Sequence, residues 1–483
     1  MILPLGPFTG LDLRPGSADV KGALVEALNV IVNTNGALVR RRGLNFRVRL
    51  PATTAGLYAV GNQLRTLAFH ATSDTGMAPT VYLDYCSSDV TGADVLGTLV
   101  DSAGATMAMV SLSTGVVEIH HCGEVGVDGS ATTLVSVEGS PGFFLMGMES
   151  RAWALSADLS SLNFSSLDNK TPAKLDIWTN PSGDDVSAGG YISVGQYASG
   201  AGRPVGLANF GGRMAIFYEG ATQVWRLDTD NSRFFKEAVL PTVGTKAAKS
   251  AASVVSDILL LTNAGVRSLT TVSQTLNPAE DPVGGRVDVL VNELGNRTGA
   301  RPVAIYSRSL GCYLLAFGVD VLCLSLTPGQ GIHGWSRWVL PVEVDHWTEA
   351  NGTVWIRSGR NVFSMDAVDA DDTNESGGSQ PVPVRWETGS RRYVTGFDVV
   401  GITTVATESH RVQVVVDSRP AVAVPSGDLL GSPVTMPGRA PASAFASQSK
   451  RGYVVAVRGQ DDATAATWRL DGMTLQLNQQ RNT

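Results

Sequence analysis

The chain has 483 residues, of which 43% are hydrophobic, so it is long enough to bury a large core. Its net charge of −7 gives no bulk signal for sequence-specific nucleic-acid binding, which usually needs a basic face. The 53 Gly and 22 Pro residues are spread along the chain, as expected of many short strands rather than of a disordered tail.

Residues 1–54 predict an extended arm that enters a hairpin. Leu24, Ala27, Leu28 and Ile31 fit one face of a helix, but the β-branched run Val30–Val32 and the Asn35–Gly36 turn favour extended chain. The first seven residues lack the basic region of a signal peptide, and no apolar run reaches 18 residues. We therefore expect neither export nor a membrane span.

Residues 55–366 contain recurring antiparallel meanders with short glycine turns. The clearest begins at Pro204, turns at Gly211–Gly212 and Glu219–Gly220, and ends in Gln223–Trp225. Seven such units begin near residues 56, 106, 142, 204, 252, 302 and 343. This spacing is near the roughly 40–50 residues of a propeller blade. The sequence therefore predicts an all-β fold built on a β-propeller of six to eight blades.

Residues 367–380 predict an acidic linker, and residues 381–483 predict an additional C-terminal β-sandwich-like domain. The predicted strands of that domain are Val382–Trp386, Arg411–Val416, Tyr453–Arg458 and Thr467–Leu477.

No catalytic or cofactor-binding motif occurs, so we expect no enzyme activity, no cofactor and no metal site. The chain lacks a Walker A loop, a nucleophile elbow and a His-Glu-x-x-His motif, and its six histidines are scattered. Its four cysteines form no CxxC pair. Cys312 and Cys323 lie on neighbouring predicted strands, where small buried thiols are the favoured interpretation over a facing pair.

Two charged clusters are the candidate sites. The acidic residues lack EF-hand spacing, so they predict a solvated linker or, alternatively, the wall of a channel that repels DNA; they are Asp366, Asp369, Asp371, Asp372 and Glu375. The run Arg40–Arg42 has too few aromatic neighbours for a nucleic-acid site. It predicts a subunit contact or a charged strand edge. Only seven of the 37 basic residues are lysine, which suits fixed arginine contacts but equally a GC-rich genome.

Most of the nine tryptophans fall singly in predicted strands, so packing between blades explains them better than stacking on carbohydrate.

The order of these elements resembles the tail nozzle proteins of short-tailed bacteriophages, also called tail tubular protein B or packaged-DNA stabilisation proteins. The matching order is Leu207-Ala-Asn-Phe210, a strand ending in Gln223-Val-Trp225, Gly244-Thr245 and Gly265-Val-Arg-Ser-Leu269. Further matches are Ser161–Asn169, Trp335–Pro341 and Trp468–Leu477. The family's first of these segments ends in a tryptophan, and here that tryptophan, Trp178, lies several residues further along the chain. The family also opens with a Gly-x-Asp-x-Arg pattern, which Gly10-Leu-Asp-Leu-Arg14 matches, so the matches run from about residue 10 to about residue 477.

The resemblance implies a structural protein of the virion tail, made in the host cytoplasm. It implies a homohexamer that binds the portal-adaptor ring, tail fibres or tailspikes and a tail tip. Genomic double-stranded DNA would be retained by its channel and pass through it non-specifically during ejection. Two other classes stay open: a phage receptor- or glycan-binding propeller with a solvent-open tryptophan cluster, and a hydrolytic propeller with convergent carboxylates in its central cavity.

Overall fold

A computed structural model shows an all-β chain, as the sequence predicts: its described part holds strands β1–β40 and three short α-helices. No helix in that part is long and apolar enough to cross a membrane. The structure describes residues 2–14, 22–52, 54–68, 81–85, 92–100, 106–112, 117–124, 135–136, 143–156, 159–167, 178, 185–195, 202–245, 247–254, 257–275, 282–297, 299, 301–327, 331–366, 371–388, 391–406, 410–416, 434–436, 441–445, 451–461 and 468–479.

The N-terminal segment is extended, and its strands Val30–Val32 and Leu38–Arg40 pair as a hairpin. Its strands are β1 (Ile2–Pro4), β2 (Gly10–Leu11), β3 (Ala23–Leu28), β4 (Val30–Val32), β5 (Leu38–Arg40) and β6 (Asn45–Arg49). The β4–β5 turn forms because Asn33 Oδ1 accepts hydrogen bonds from the amides of Asn35 and Ala37. Gly36 supplies the positive φ (72°) that the turn requires.

Seven successive units follow, and they form the blades of the propeller. The strands of blades 1 to 3 are β7 (Thr54–Val60), β8 (Gln63–Ala68) and β9 (Tyr82–Tyr85); β10 (Gly92–Val100), β11 (Thr106–Leu112), β12 (Val117–Glu124) and β13 (Val135–Ser136); and β14 (Phe143–Met148), β15 (Arg151–Leu155), β16 (Ser161–Phe164) and β17 (Gly190–Ser193). Strand β9 also pairs with β12, which joins the outer parts of blades 1 and 2 into one sheet.

Blades 4 to 7 complete the series. Their strands are β18 (Pro204–Phe210), β19 (Arg213–Tyr218), β20 (Ala221–Arg226) and β21 (Phe235–Pro241); β22 (Ala252–Val254), β23 (Asp257–Thr262) and β24 (Gly265–Ser268); β25 (Val303–Ser307), β26 (Cys312–Phe317), β27 (Asp320–Thr327) and β28 (Gly331–Val339); and β29 (His346–Ala350), β30 (Thr353–Ser358) and β31 (Asn361–Met365). Three helices follow β24 and contact it, namely α1 (Leu269–Thr275), α2 (Pro282–Gly285) and α3 (Asp288–Gly295).

The first strands of the seven units form a closed ring around an axis. Strands β7, β10, β14, β18, β22, β25 and β29 each contact the next, and β29 contacts β7. The molecule is therefore a seven-bladed β-propeller, within the range of six to eight that the sequence predicts. Apolar side chains fill the space between blades; Met214 and Ile216 of blade 4, for example, pack with Trp153 of blade 3.

Blade 7 is closed by the N-terminal segment. Strand β6 pairs with β31, with Val48 opposite Val362 and Phe46 opposite Phe363. The two phenylalanine rings meet edge to face with centroids 5.8 Å apart. An early strand thus completes the sheet of the last blade and fastens the ring.

The C-terminal sheet includes strands from the N-terminal segment. Strands β32 (Asp371–Thr373) and β33 (Ser379–Pro381) form a separate two-stranded hairpin before it. The C-terminal strands of the sheet are β34 (Val384–Thr388), β35 (Arg391–Ala406), β36 (His410–Val416), β37 (Val434–Met436), β38 (Pro441–Phe445), β39 (Arg451–Asp461) and β40 (Arg469–Gln479). Strands β35 and β39 change partners along their lengths, as strands do where they pass between the sheets of a sandwich. Strands β1 and β5 pair with β40, and β3 joins β34 to β28 of blade 6. Strands β1–β6 therefore contribute to both units rather than forming a separate arm.

Candidate functional site

The predicted arginine run and the predicted acidic stretch meet each other at the junction of the propeller and the C-terminal sheet. Arg41 Nη1 and Nη2 donate to Asp372 Oδ1 and Oδ2 over 2.9 and 2.6 Å. Arg41 is 1% exposed and also donates to Asn29 Oδ1 and the Val339 carbonyl. The amide of Leu44 donates to Asp372 Oδ1 over 2.8 Å. This bidentate pair satisfies a buried cation and a buried anion together.

Two further pairs continue this contact toward the solvent. Arg47 pairs with Asp366, whose carboxylate also accepts a hydrogen bond from Ser364. Arg49 pairs with Glu375 over 2.9 Å, and both of these side chains are exposed. Exposed pairs contribute little stability, so the buried Arg41–Asp372 pair dominates the junction.

These contacts correct both sequence-based site predictions in part. The linker or channel prediction is wrong for Asp372, because that carboxylate is buried and paired within the chain. Asp371 lies in the β32–β33 hairpin and accepts a hydrogen bond from Ser379, whereas Asp369 lies outside the described residues. The subunit-contact prediction is wrong for Arg40 and Arg41, which are buried inside the chain.

Arg42 is half-buried, so its predicted role in a subunit contact stays a prediction. The two charged runs are more than 300 positions apart in the sequence, and only the fold brings them into contact.

Cys312 and Cys323 are buried free thiols on adjacent strands of blade 6, as the favoured interpretation expects. Cys312 lies opposite Ser325, and its Sγ is 3.8 Å from Ser325 Oγ. Burial and the neighbouring Cys312 raise the pKa of the Cys323 thiol. A raised pKa keeps a thiol protonated and unreactive, which is typical of core packing.

The described tryptophans are mainly core residues, as predicted. Trp153, Trp335, Trp338, Trp386 and Trp468 are fully buried. The Trp335 indole N–H donates to the Val283 carbonyl, and that of Trp338 donates to the Val30 carbonyl. These rings thus pin neighbouring segments to blade 6. A solvent-open tryptophan cluster is absent from the part of the chain described above.

A cavity of about 430 Å³ lies where the inner strands of blades 1, 6 and 7 begin. Its lining includes Thr54–Gly56 and the ionisable residues Lys249, Arg301, Asp345, His346 and Arg357. Sequence reasoning missed this site, because its members are far apart in the chain and match no motif. His346 is one of the six histidines scattered along the sequence.

Arg357 holds the cavity wall together. Its guanidinium donates to the carbonyls of Thr54, Gly56 and Gly359 over 2.6–2.8 Å, which ties blade 7 to blade 1. Asp345 Oδ2 accepts a hydrogen bond from the Gly359 amide over 2.6 Å. The cavity therefore has cations from three places in the chain and a carboxylate that is already engaged.

The cavity lining offers one carboxylate, that of Asp345. Glycoside hydrolysis ordinarily needs a pair of carboxylates flanking the scissile bond. Among the described residues, no group of three or more His, Cys, Asp or Glu residues could hold a metal ion.

The sequence matches no protein-family model and no curated protein. Among solved structures, the chain is similar to an exo-β-1,3-galactanase from Phanerochaete chrysosporium with β-1,3-galactotriose, at 10% identity and a TM-score of 0.27 over 91% of this chain and 100% of that one. It is also similar to the WD40 domain of Neurospora crassa Pan2, at 10% identity and a TM-score of 0.35 over 70% of this chain and 88% of that one. These likenesses are too distant to assign a function, and the fold assignment rests on the strand pairing and the closed ring.

Proposed function

We propose that this chain is a structural subunit of the tail of a short-tailed bacteriophage, a nozzle that assembles as a homohexameric ring and forms the distal DNA conduit. The support is the order of family-like motifs along the chain. Gln223–Trp225 falls in β20, Gly265–Ser268 is β24, and Trp335–Val339 falls in β28. The motifs are thus distributed over successive blades, as expected of a scaffold rather than of a catalytic centre.

The motif residues have packing roles that suit a structural protein. Trp225 is 5% exposed, and its indole N–H donates to Gln223 Oε1 over 2.9 Å. Arg267 of β24 is buried and forms a bidentate pair with Asp288 of α3, which fixes the helices against blade 5. A rigid scaffold with these internal contacts can present fixed surfaces to neighbouring subunits.

As such a subunit, the protein would contact the portal-adaptor ring, tail fibres or tailspikes, a tail tip and the passing genome. A conduit must not grip its cargo, and phosphate binding is driven by Lys and Arg contacts that release counterions. We expect the lumen of the ring to be net negative. Its acidic residues must include others besides Asp372, which is buried. A map of the assembled ring with a continuous basic lumen would contradict this expectation.

Negative-stain microscopy and light scattering of the purified protein test the proposal. Six copies of the 50.7-kDa chain amount to about 304 kDa, and we expect particles of that mass with a central hole. Closed cyclic rings need one heterologous contact repeated around the axis. The proposal would be overturned if the protein stayed a monomer of 50.7 kDa both alone and with the adaptor protein.

A second function, binding of a saccharide on the virion or host surface, is favoured by one observation. Tyr191 on β17 and Phe235 on β21 are 72% and 48% exposed, and they lie on the outer strands of blades 3 and 4. Exposed aromatic rings can stack on sugar rings through their apolar faces. Retention of a glycan by single propellers, lost in Tyr191→Ala and kept in Tyr82→Ala on blade 1, would support this function instead.

A further inference from the structure

The chain contains two Asn-Gly dipeptides, and each lies in the turn of a hairpin. Asn35–Gly36 connects β4 to β5, and Asn351–Gly352 connects β29 to β30. Asparagine followed by glycine is prone to deamidation, because glycine has no side chain to shield its backbone nitrogen from the preceding side-chain amide. The two dipeptides are identical in sequence, so a difference in their reactivity must come from the fold.

The fold protects the first dipeptide. The Gly36 amide donates to the Asn33 carbonyl over 2.9 Å, so its proton is already held. Gly36 is buried, and its carbonyl accepts a hydrogen bond from the Phe8 amide over 2.8 Å. A Cβ atom at its position would lie 2.5 Å from Pro7 Cβ. This turn cannot rearrange for a ring closure unless the N-terminal segment opens locally.

The fold leaves the second dipeptide open. Asn351 and Gly352 are both exposed, with φ of 52° and 69°, and apart from chain neighbours no atom lies within 4 Å of where a Gly352 Cβ would be. Within the described part of the chain, no group accepts a hydrogen bond from the Gly352 amide. Asn351 Nδ2 donates to the Asn62 carbonyl of blade 1 over 2.9 Å. An exposed hydrogen bond contributes little, so it leaves the side chain free to turn toward Gly352.

We propose that Asn351 is a site of spontaneous deamidation and that the fold protects Asn35 from the same reaction. The Gly352 nitrogen loses its proton to hydroxide and bonds to Asn351 Cγ. The Cγ–Nδ2 bond breaks, and Nδ2 leaves as ammonia with a proton from water. Water then adds to either carbonyl of the resulting succinimide and opens it to aspartate or isoaspartate, so the net reaction consumes water and releases ammonia.

Deamidation at this position changes a contact between two blades. It replaces the Nδ2 donor that faces the Asn62 carbonyl by a carboxylate, which has no proton to donate. The hydrogen bond between the turn of blade 7 and the turn of blade 1 is therefore lost. Blades 7 and 1 are the two that meet where the ring closes, so the reaction loosens the propeller at its closure.

Incubation of the folded chain at mildly alkaline pH, followed by peptide mapping with mass spectrometry, tests the site. We expect Asn351 to deamidate about tenfold faster than Asn35 or more, because Gly36 must first be freed by local opening. An isoaspartyl methyltransferase should label the Asn351 peptide. The matched control is the same chain unfolded in guanidinium chloride, in which the two dipeptides should react at similar rates. Equal rates in the folded chain would overturn the proposal, as would an Asn351 that reacts only after unfolding.

The variant Asn351→Asp isolates the consequence of the reaction from its rate. We expect it to speed amide hydrogen exchange in residues 59–63, around the turn that Asn351 contacts, because the hydrogen bond to Asn62 is gone. Asn35→Asp is the control and should leave exchange in that segment unchanged. Unchanged exchange in Asn351→Asp would overturn the loosening of the closure.

Discussion

At the scale of single residues, Arg41 is the side chain on which the junction depends most. Its guanidinium reaches Asn29 of the N-terminal segment, Val339 of blade 6 and Asp372 of the β32–β33 hairpin. We expect Arg41→Met to lower the free energy of unfolding by about 3–5 kcal/mol, because it leaves a buried, uncompensated carboxylate. Denaturant unfolding monitored by tryptophan fluorescence measures the loss.

Arg49→Met is the control for Arg41, since it breaks an exposed pair with Glu375 and should cost about 1 kcal/mol or less. The double variant Arg41→Met/Asp372→Leu should recover much of the stability, because both buried charges are then gone. Equal losses in Arg41→Met and Arg49→Met would contradict the dominant role of the buried pair.

A second residue-scale feature is the carboxyl pair formed by Glu26 of β3 and Glu387 of β34, which lie directly opposite. Burial raises the pKa of Glu26, and the charge of Glu387 raises it further, against the opposing effects of Arg458, Arg385 and Arg337. The folded state therefore favours protonated Glu26. The stability it contributes is present below the pKa of the unfolded chain and is lost as the pH rises through the raised pKa of the folded chain.

We accordingly expect Glu26→Gln to raise the unfolding midpoint at about pH 8 and to change it little at about pH 4, where the carboxyl is largely protonated. Thermal scans across this range check the prediction. The control is Glu387→Gln, which removes the 2.6 Å ion pair with Arg458 and should lower the midpoint at neutral pH. A Glu26→Gln effect that does not vary with pH would show that charge is not its cause.

At the scale of elements, the closing strand β6 links an early segment to the last blade. Phe46 packs against Phe363 across the β6–β31 pair. We expect Phe46→Ala to speed amide hydrogen exchange in both residues 45–49 and residues 361–365, because the two strands open as one cooperative unit. Mass spectrometry of peptic peptides measures both segments.

Phe235→Ala is the matched control for Phe46, since Phe235 is exposed on the outer strand of blade 4 and should leave those rates unchanged. Faster exchange confined to residues 45–49 would mean that β6 frays alone and does not hold blade 7.

Elements with local pairing are the ones that sequence reasoning could predict. Six of the seven predicted starts, near residues 56, 142, 204, 252, 302 and 343, fall within a few residues of an inner strand. The second predicted start, residue 106, lies on β11 instead of the inner strand β10. Register shifts within β10, at Gly92–Asp94 and Val95–Gly97, interrupt the alternation of side chains that would mark it as a strand. Short hairpins carry their own turn signals, so their positions are visible without the rest of the fold.

Contacts between distant segments could not be predicted in this way. Nothing near Asn45–Arg49 indicates that its partner is Asn361–Met365, since the register depends on the shape of the finished ring. The same reason hid the pairing of Arg41 with Asp372 and the convergence of Lys249, Arg301 and Arg357. The sequence shows where the charged residues are, but it does not show which residues they contact.

At the scale of the whole molecule, the acidic balance predicts weak contact with nucleic acid. Six copies of a chain with a net charge of −7 carry −42. We expect no retention of a duplex DNA probe in fluorescence anisotropy even at about 50 mM salt, because few phosphate contacts are available to release counterions. Binding that weakens steeply with added salt would contradict this prediction. A basic DNA-binding domain measured alongside verifies the assay.

The pairing of β1 with β40 constrains the order in which the chain can fold during its synthesis. Ile2 lies opposite Gln476, and Arg49 lies opposite Asn361, so neither pair can form until most of the chain has left the ribosome. Blades 3 to 6 are local meanders that can form as they emerge, whereas the first strands must wait with their edges unpaired. Such long-range closure is slow and exposes the chain to association with its neighbours. When several copies are translated from one messenger RNA, the first strands of one copy can therefore pair either with the last strands of the same chain or with those of a neighbouring chain.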